Sequence, residues 1–181
     1  LIIYFLMDFL TPKRRRYGKY MLKKISSLSI AILAAVNALA ADVWDGSVAT
    51  AFTAGKGTVA EPYQISNGAE LALFAQKVSE GDTALSAVLT DDIYLNEGSE
   101  NYASWGETPP ANAWPSPIGS TQHRFEGVFD GKGHKVYGAY QVQELKNSWN
   151  GLGFFGTIGD SAVVKNIGVE NSYVSLSGTI D

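Results

Sequence analysis

The apolar residues change rhythm along the chain. In "ISNGAELALFAQKVSEGD", Leu71, Phe74, Ala75 and Val78 recur at i, i+3, i+4 and i+7, which predicts one amphipathic helix. Asn67 followed by Glu70 has the spacing of a capping box and Gly81 stands where a helix would end, so the helix is expected over 67 to 80. In "ALSAVLTDDIYLNEG" the period falls to two. Leu85, Ala87, Leu89, Ile93 and Leu95 share one parity, as in a strand with one buried face. Asp91 falls in the same parity, and a carboxylate is costly to bury, so a bulge or bend is expected at Asp91 and Asp92.

Residues 96 to 117 are rich in Pro and read as a long loop. Short alternating pieces follow, predicting strands near 124 to 129, 134 to 142, 154 to 158, 163 to 169 and 173 to 176. Glycine is ten of the fifty residues from Gly119 to Gly168, interleaved with Phe, Val, Ile and Tyr rather than with Ser and Pro. That is the texture of short strands joined by tight turns, not of a linker. Asp130 and Gly138 are matched thirty residues later by Asp160 and Gly168, a coil length that a stacked repeat would have.

The first part of the chain is of another kind. Residues 21 to 41 run from Lys23 and Lys24 through the uncharged stretch Ile25 to Ala40 and close on Ala38-Leu39-Ala40. This is the order of an export signal cut near Ala40 or Ala41, too short for a comfortable membrane span. Residues 1 to 20 are expected to be an upstream over-read, with Met21 the true start; a twin-arginine signal using Arg14, Arg15 and Arg16 is the competing idea. Without these segments the charge balance shifts: from Ala41 onward there are 7 basic and 17 acidic residues. Such a surface argues against nucleic acid or anionic lipid as a partner, and membrane contact is expected only through the signal or an anchor domain elsewhere. There is no cysteine, so disulfides and thiolate metal sites are excluded.

One stretch, "FEGVFDGKGHKVYG" at 125 to 138, gathers Glu126, Asp130 and His134 in a glycine-rich frame. On an extended strand Glu126 and Asp130 stand about 13 Å apart, beyond the spacing of a glycosidase acid/base pair. Asp130-Gly131 and Lys132-Gly133 have the chemistry of a turn, with His134 opening the next strand. A transition-metal site would want two or three imidazoles or thiolates, and the chain's only two, His123 and His134, fall on opposite parities or in a loop. Calcium at Asp91 and Asp92 would require the bulge and further oxygen donors. The four Trp, among them Trp105 and Trp114, either stack on sugar rings or fill the core.

In order, "GTVAEPYQISNGAELALFAQKV", "LTDDIYL", "PIG", "FEGVFDGKGHKVYG" and "GLGFFGTIGDSAVVKNIGV" resemble bacterial exported proteins carrying GLUG-type motifs. The resemblance covers roughly Gly55 to Leu176. Here the family's G-L-F-G becomes Gly151-Leu152-Gly153-Phe154-Phe155-Gly156, which unsettles the register there. The resemblance implies a pectin-lyase-like fold: an all-β, right-handed parallel β-helix forming a partial solenoid, its N-terminal end capped by the helix at 67 to 80, with Asn166 and Asn171 at corners. The closing "YVSLSGTID" stops within the pattern, so residues 42 to 181 are expected to be the N-terminal part of a longer domain. The implied role is adhesion or binding of an extracellular glycan or surface matrix without catalysis or a cofactor. The alternative is part of a polysaccharide lyase or glycoside hydrolase. Asp91, Asp92, Trp105, Trp114, Asp130 and Asp160 are the candidates for ligand contact or an acidic groove.

Overall fold

Residues 42–144 and 151–178 are described here in a computed structural model. They belong to a compact unit spanning Asp42–Asp181. The expected export signal at 21–41 and the segment 1–20 lie outside the described residues.

The element order is β1 (Tyr63–Ile65), α1 (Gly68–Ser79), β2 (Ala87–Leu89), β3 (Ile93–Tyr94), a 3-10 turn (Ser99–Ser104), β4 (Val128–Asp130), β5 (Lys135–Tyr137), β6 (Tyr140–Glu144), β7 (Val163–Lys165), β8 (Gly168–Glu170) and β9 (Tyr173–Ser177). The strands pair in three sheets, ordered β1-β2-β4-β7, β3-β5-β8 and β6-β9. Every pairing is parallel.

The expected right-handed parallel β-helix under an end-capping helix is corrected by this arrangement. The described residues form three small sheets of four, three and two strands rather than one regular solenoid. The register partners Tyr63, Ala87, Phe129 and Val164 are unevenly spaced along the chain, so no constant period links the strands. The thirty-residue match fails for the same reason: Asp130 pairs with Lys165, not with Asp160. Between β3 and β4 the chain contributes no strand to any sheet, only isolated bridges such as Ile118 to Phe155 and Phe125 to Ile158. The predicted strand at 154 to 158 reduces to these two bridges.

Two predicted strands are each two strands meeting at a corner. The 134–142 segment breaks at Gly138, whose φ of 76° is open to glycine at little cost, and 163–169 breaks at Asn166, with φ 53°. The bend expected at Asp91 and Asp92 is a passage from the first sheet to the second rather than a bulge within one strand. Gly127, just before β4, is fixed by crowding: a Cβ there would collide with the Leu85 carbonyl oxygen.

Helix α1 forms where its periodicity places it. The Asn67 side chain accepts a hydrogen bond from Glu70 N–H at 2.9 Å, capping one of the unpaired donors of the first turn. Leu71, Phe74, Ala75 and Val78 are completely buried. The helix belongs to the core, since the Phe74 ring meets Phe125 and Phe129 edge-on at 5.9 and 5.6 Å. Around these three rings gather Ile65, Leu89, Ile93, Ile118 and Val136, all at most 1% exposed. Burying a side chain of this size stabilises the fold by about 1.5–3 kcal/mol.

Candidate functional site

The turn between β4 and β5 is built around Asp130. Its Oδ1 accepts the Lys132 backbone N–H at 2.9 Å and the Asn166 side-chain amide at 3.0 Å. Its Oδ2 faces Lys132 Nζ at 3.3 Å and Lys165 Nζ at 3.6 Å. The backbone N–H of Lys132, then the Asn166 amide, hold this carboxyl well below the usual carboxylate range. Lys132 sits at φ 54°, and Gly131 and Gly133 donate to the Lys165 and Asn166 carbonyls, both at 2.9 Å. Asp130 therefore ties the β4–β5 corner to the β7–β8 corner. Over this junction lies an open groove of about 530 Å³, lined by Asp130, Lys132, Gly133, Lys135, Asn166 and Gly168, among others.

The second sheet extends the site. Asp92 Oδ1 accepts the Lys135 N–H at 2.9 Å and lies 3.3 Å from His134 Nδ1. Lys135 Nζ meets Glu170 at 2.7 Å, and this hydrogen bond and its charge hold the ammonium above its usual range. Beside Lys135, Tyr137 stacks on Tyr94 with ring centroids 4.9 Å apart and planes 12° apart, both rings half-buried. Burial, then the neighbouring Tyr137 and the two aspartates, raise the Tyr94 hydroxyl.

Of the residues singled out from the sequence, Asp92 and Asp130 flank this junction, and both are committed to hydrogen bonds that hold the chain in shape. Asp91 is exposed, its Oδ1 accepting the N–H of Asp92 at 2.8 Å. Asp160 is exposed in the turn beside Ser161 and does not line the groove. Trp105 and Trp114 are 4% and 3% exposed, with their rings packed on other aromatic side chains. Trp105 meets Tyr140 edge-on, while Trp114 stacks on Phe154 at 5.5 Å and meets Trp44 at 5.8 Å. Among the described residues no group of three or more His, Cys, Asp or Glu side chains could hold a metal.

Glu126, on the far side of β4 from the groove turn, accepts hydrogen bonds from the hydroxyl and the N–H of Ser161, the latter at 3.1 Å. These bonds, the hydroxyl first, lower its carboxyl, and they engage it as a brace between loops.

The sequence reading missed Lys132, Lys135, Lys165 and the Tyr94–Tyr137 pair, whose convergence depends on strand register. It also missed Glu70 as a buried group. Glu70, 2% exposed, receives Thr53 N–H and hydroxyl at 3.0 and 2.8 Å, Ser66 N–H and hydroxyl at 3.0 and 3.2 Å, and the Asn67 amide at 3.3 Å. Burial pushes its carboxyl up, but the bonds from Ser66 and Thr53 outweigh that and leave it below its ordinary value. The capping-box spacing was the available signal; the returning arm goes to Ser66 N–H, one residue before the cap.

No family model matches the chain, and no solved structure matches it. It is 29% identical over 127 residues to a protein of Evansella cellulosilytica named as a Gly-rich membrane protein, and 28% identical over 138 residues to a halomucin of Haloquadratum walsbyi. These alignments take in 70% and 76% of the chain but only 13% and 1% of the two relatives. Among the described residues no helix is long and apolar enough to cross a membrane.

Proposed function

We propose that this chain is an exported module displayed at the cell surface that binds glycan or surface matrix and does not transform it. The observation that carries the reading is the division of labour among its side chains. Asp92, Glu126 and Asp130 are engaged with backbone and neighbouring groups, whereas Lys132, Lys135, Tyr94 and Tyr137 present partly exposed ammonium groups and rings beside an open groove. An amphipathic ring beside a charge serves contact with polar, ring-bearing ligands. The names of the two relatives, a membrane protein and a halomucin, agree with a place at the cell surface.

The test is retention of the purified protein on intact cells and on immobilised glycans, with the released sugar ends assayed in the same samples. Saturable retention without release of sugar ends is expected. Release of new ends would point to an enzyme, and a protein that is never retained would remove the binding role.

A further inference from the structure

The acidic balance of the chain makes one patch stand out. Of the 7 basic residues from Ala41 onward, Lys132 and Lys135 line the groove over the β4–β5 corner, and Lys165 reaches the same Asp130 carboxylate from the neighbouring strand. Lys132 and Lys165 turn to the same Asp130 oxygen, so two ammonium groups share one negative charge. Lys135 is matched by Glu170. The three side chains remain 57%, 43% and 51% exposed, in the order Lys132, Lys135, Lys165. Each ammonium has three N–H donors, more than these pairings use. The other oxygen of Asp130 is taken by Lys132 N–H and the Asn166 amide, which fixes the carboxylate beneath the lysines.

The ring partner is adjacent. Lys135 and Tyr137 stand on the same side of β5, about 7 Å apart along the strand, opposite the completely buried Val136. Tyr94 stacks behind Tyr137 and holds its ring in place. Lys132 and Lys135 thus line the open groove, with a stacked aromatic ring next along β5.

We infer that this groove binds an anionic saccharide chain, with Lys132 and Lys135 of its lining meeting sulfate or carboxylate groups, Lys165 adding charge beside the shared Asp130, and Tyr137 meeting a sugar ring where the chain runs on along β5. This rests on the proposed glycan-binding role and narrows it to a ligand class. The net charge of the chain opposes general attraction to polyanions, so any such binding reports the local cluster. Glu170 acts as an internal competitor for Lys135.

The test measures the affinity of the full chain for three polymers of one backbone: dextran, carboxymethyl dextran and dextran sulfate. Binding to a charged polymer and not to dextran is expected, weakening as salt rises, and the preferred polymer identifies the anionic group. Lys132→Gln and Lys135→Gln should each weaken it about two- to fivefold, the range of exposed charge pairs, and Tyr137→Ala should weaken it as well. Glu170→Gln should strengthen it by a similar factor, a gain that damage to the fold would not produce. Unchanged thermal melting shows that each variant is folded. Equal binding to dextran, charged-polymer binding indifferent to the lysine and Glu170 changes, or no binding to any of the three would overturn the inference. Retention on cells by the separate assay would leave the broader binding role in place.

Discussion

Val136 and Val169 occupy the same rung of one parallel ladder, as do Gln141 and Val174 on another, and Phe125 and Ile158 are joined by a parallel bridge. The first residue of each pair is 0%, 9% and 0% exposed; the second is 40%, 48% and 47%. In-register parallel partners face the same side, so the contrast does not come from orientation. Val136 lies between Ile93 and Val169, with strands on both sides, whereas β8 ends its sheet. Burial here comes from the neighbouring layer rather than from residue type. The groove spans both regimes, with Lys132 and Lys135 from the enclosed β4–β5 corner and strand and Asn166 and Gly168 from the outer β7–β8 corner and strand.

The contrast can be strained hardest in the aromatic core. Phe129→Ala removes a ring that meets Phe74, Phe154 and Phe155, and should cost about 3–5 kcal/mol in chemical denaturation. A loss below about 1 kcal/mol would show that the layer is loosely packed.

Glu70→Gln tests the polar anchor of the enclosed side. The new amide would aim donors at the donors of Thr53 or Ser66, costing about 1–3 kcal/mol. Because the folded carboxyl of Glu70 lies below its ordinary value of 4.5, its stabilising contribution is present above that value and is lost as pH falls through the folded value. Asp130 has the same sign. Stability followed by denaturation across acidic pH should therefore decline more steeply in the parent than in Glu70→Gln; identical slopes would remove Glu70 from the acid response.

The outer strands should tolerate much more. Val174→Lys and Leu176→Lys change residues 48% and 42% exposed, and each should move the unfolding free energy by no more than about 0.5 kcal/mol. A larger loss in either would mean that this face is covered in solution.

Local patterns were legible where short-range physics decides them. The helix, its Asn67 cap and its buried face followed from a 3.6-residue period, and Asn166 and Asn171 do take the positive φ expected of corners, at 53° and 49°. Residues spaced by a corner misled. A single strand over 134 to 142 would put Val136, Tyr140 and Val142 on one side, but Gly138 resets the alternation, so Ala139 and Gln141 turn inward instead. The regular solenoid failed because uneven connections separate the paired strands, and composition carries no record of connection length. The lysine groove was invisible for a related reason. Lys132 and Lys165 are distant in sequence and meet only through the β4–β7 register. Trp105 and Trp114 show the limit of residue type, since a ring suited to ligand stacking is equally suited to a core.

The most direct test sets Val136→Ala beside Val169→Ala, the same substitution on adjacent strands of one ladder, with both unfolding free energies measured under identical conditions. Removing two methyl groups from an enclosed site should cost about 2 kcal/mol, against less than about 0.5 kcal/mol at the outer rung. Equal losses in the two variants would contradict the claim that the adjoining layer sets how firmly each strand is held.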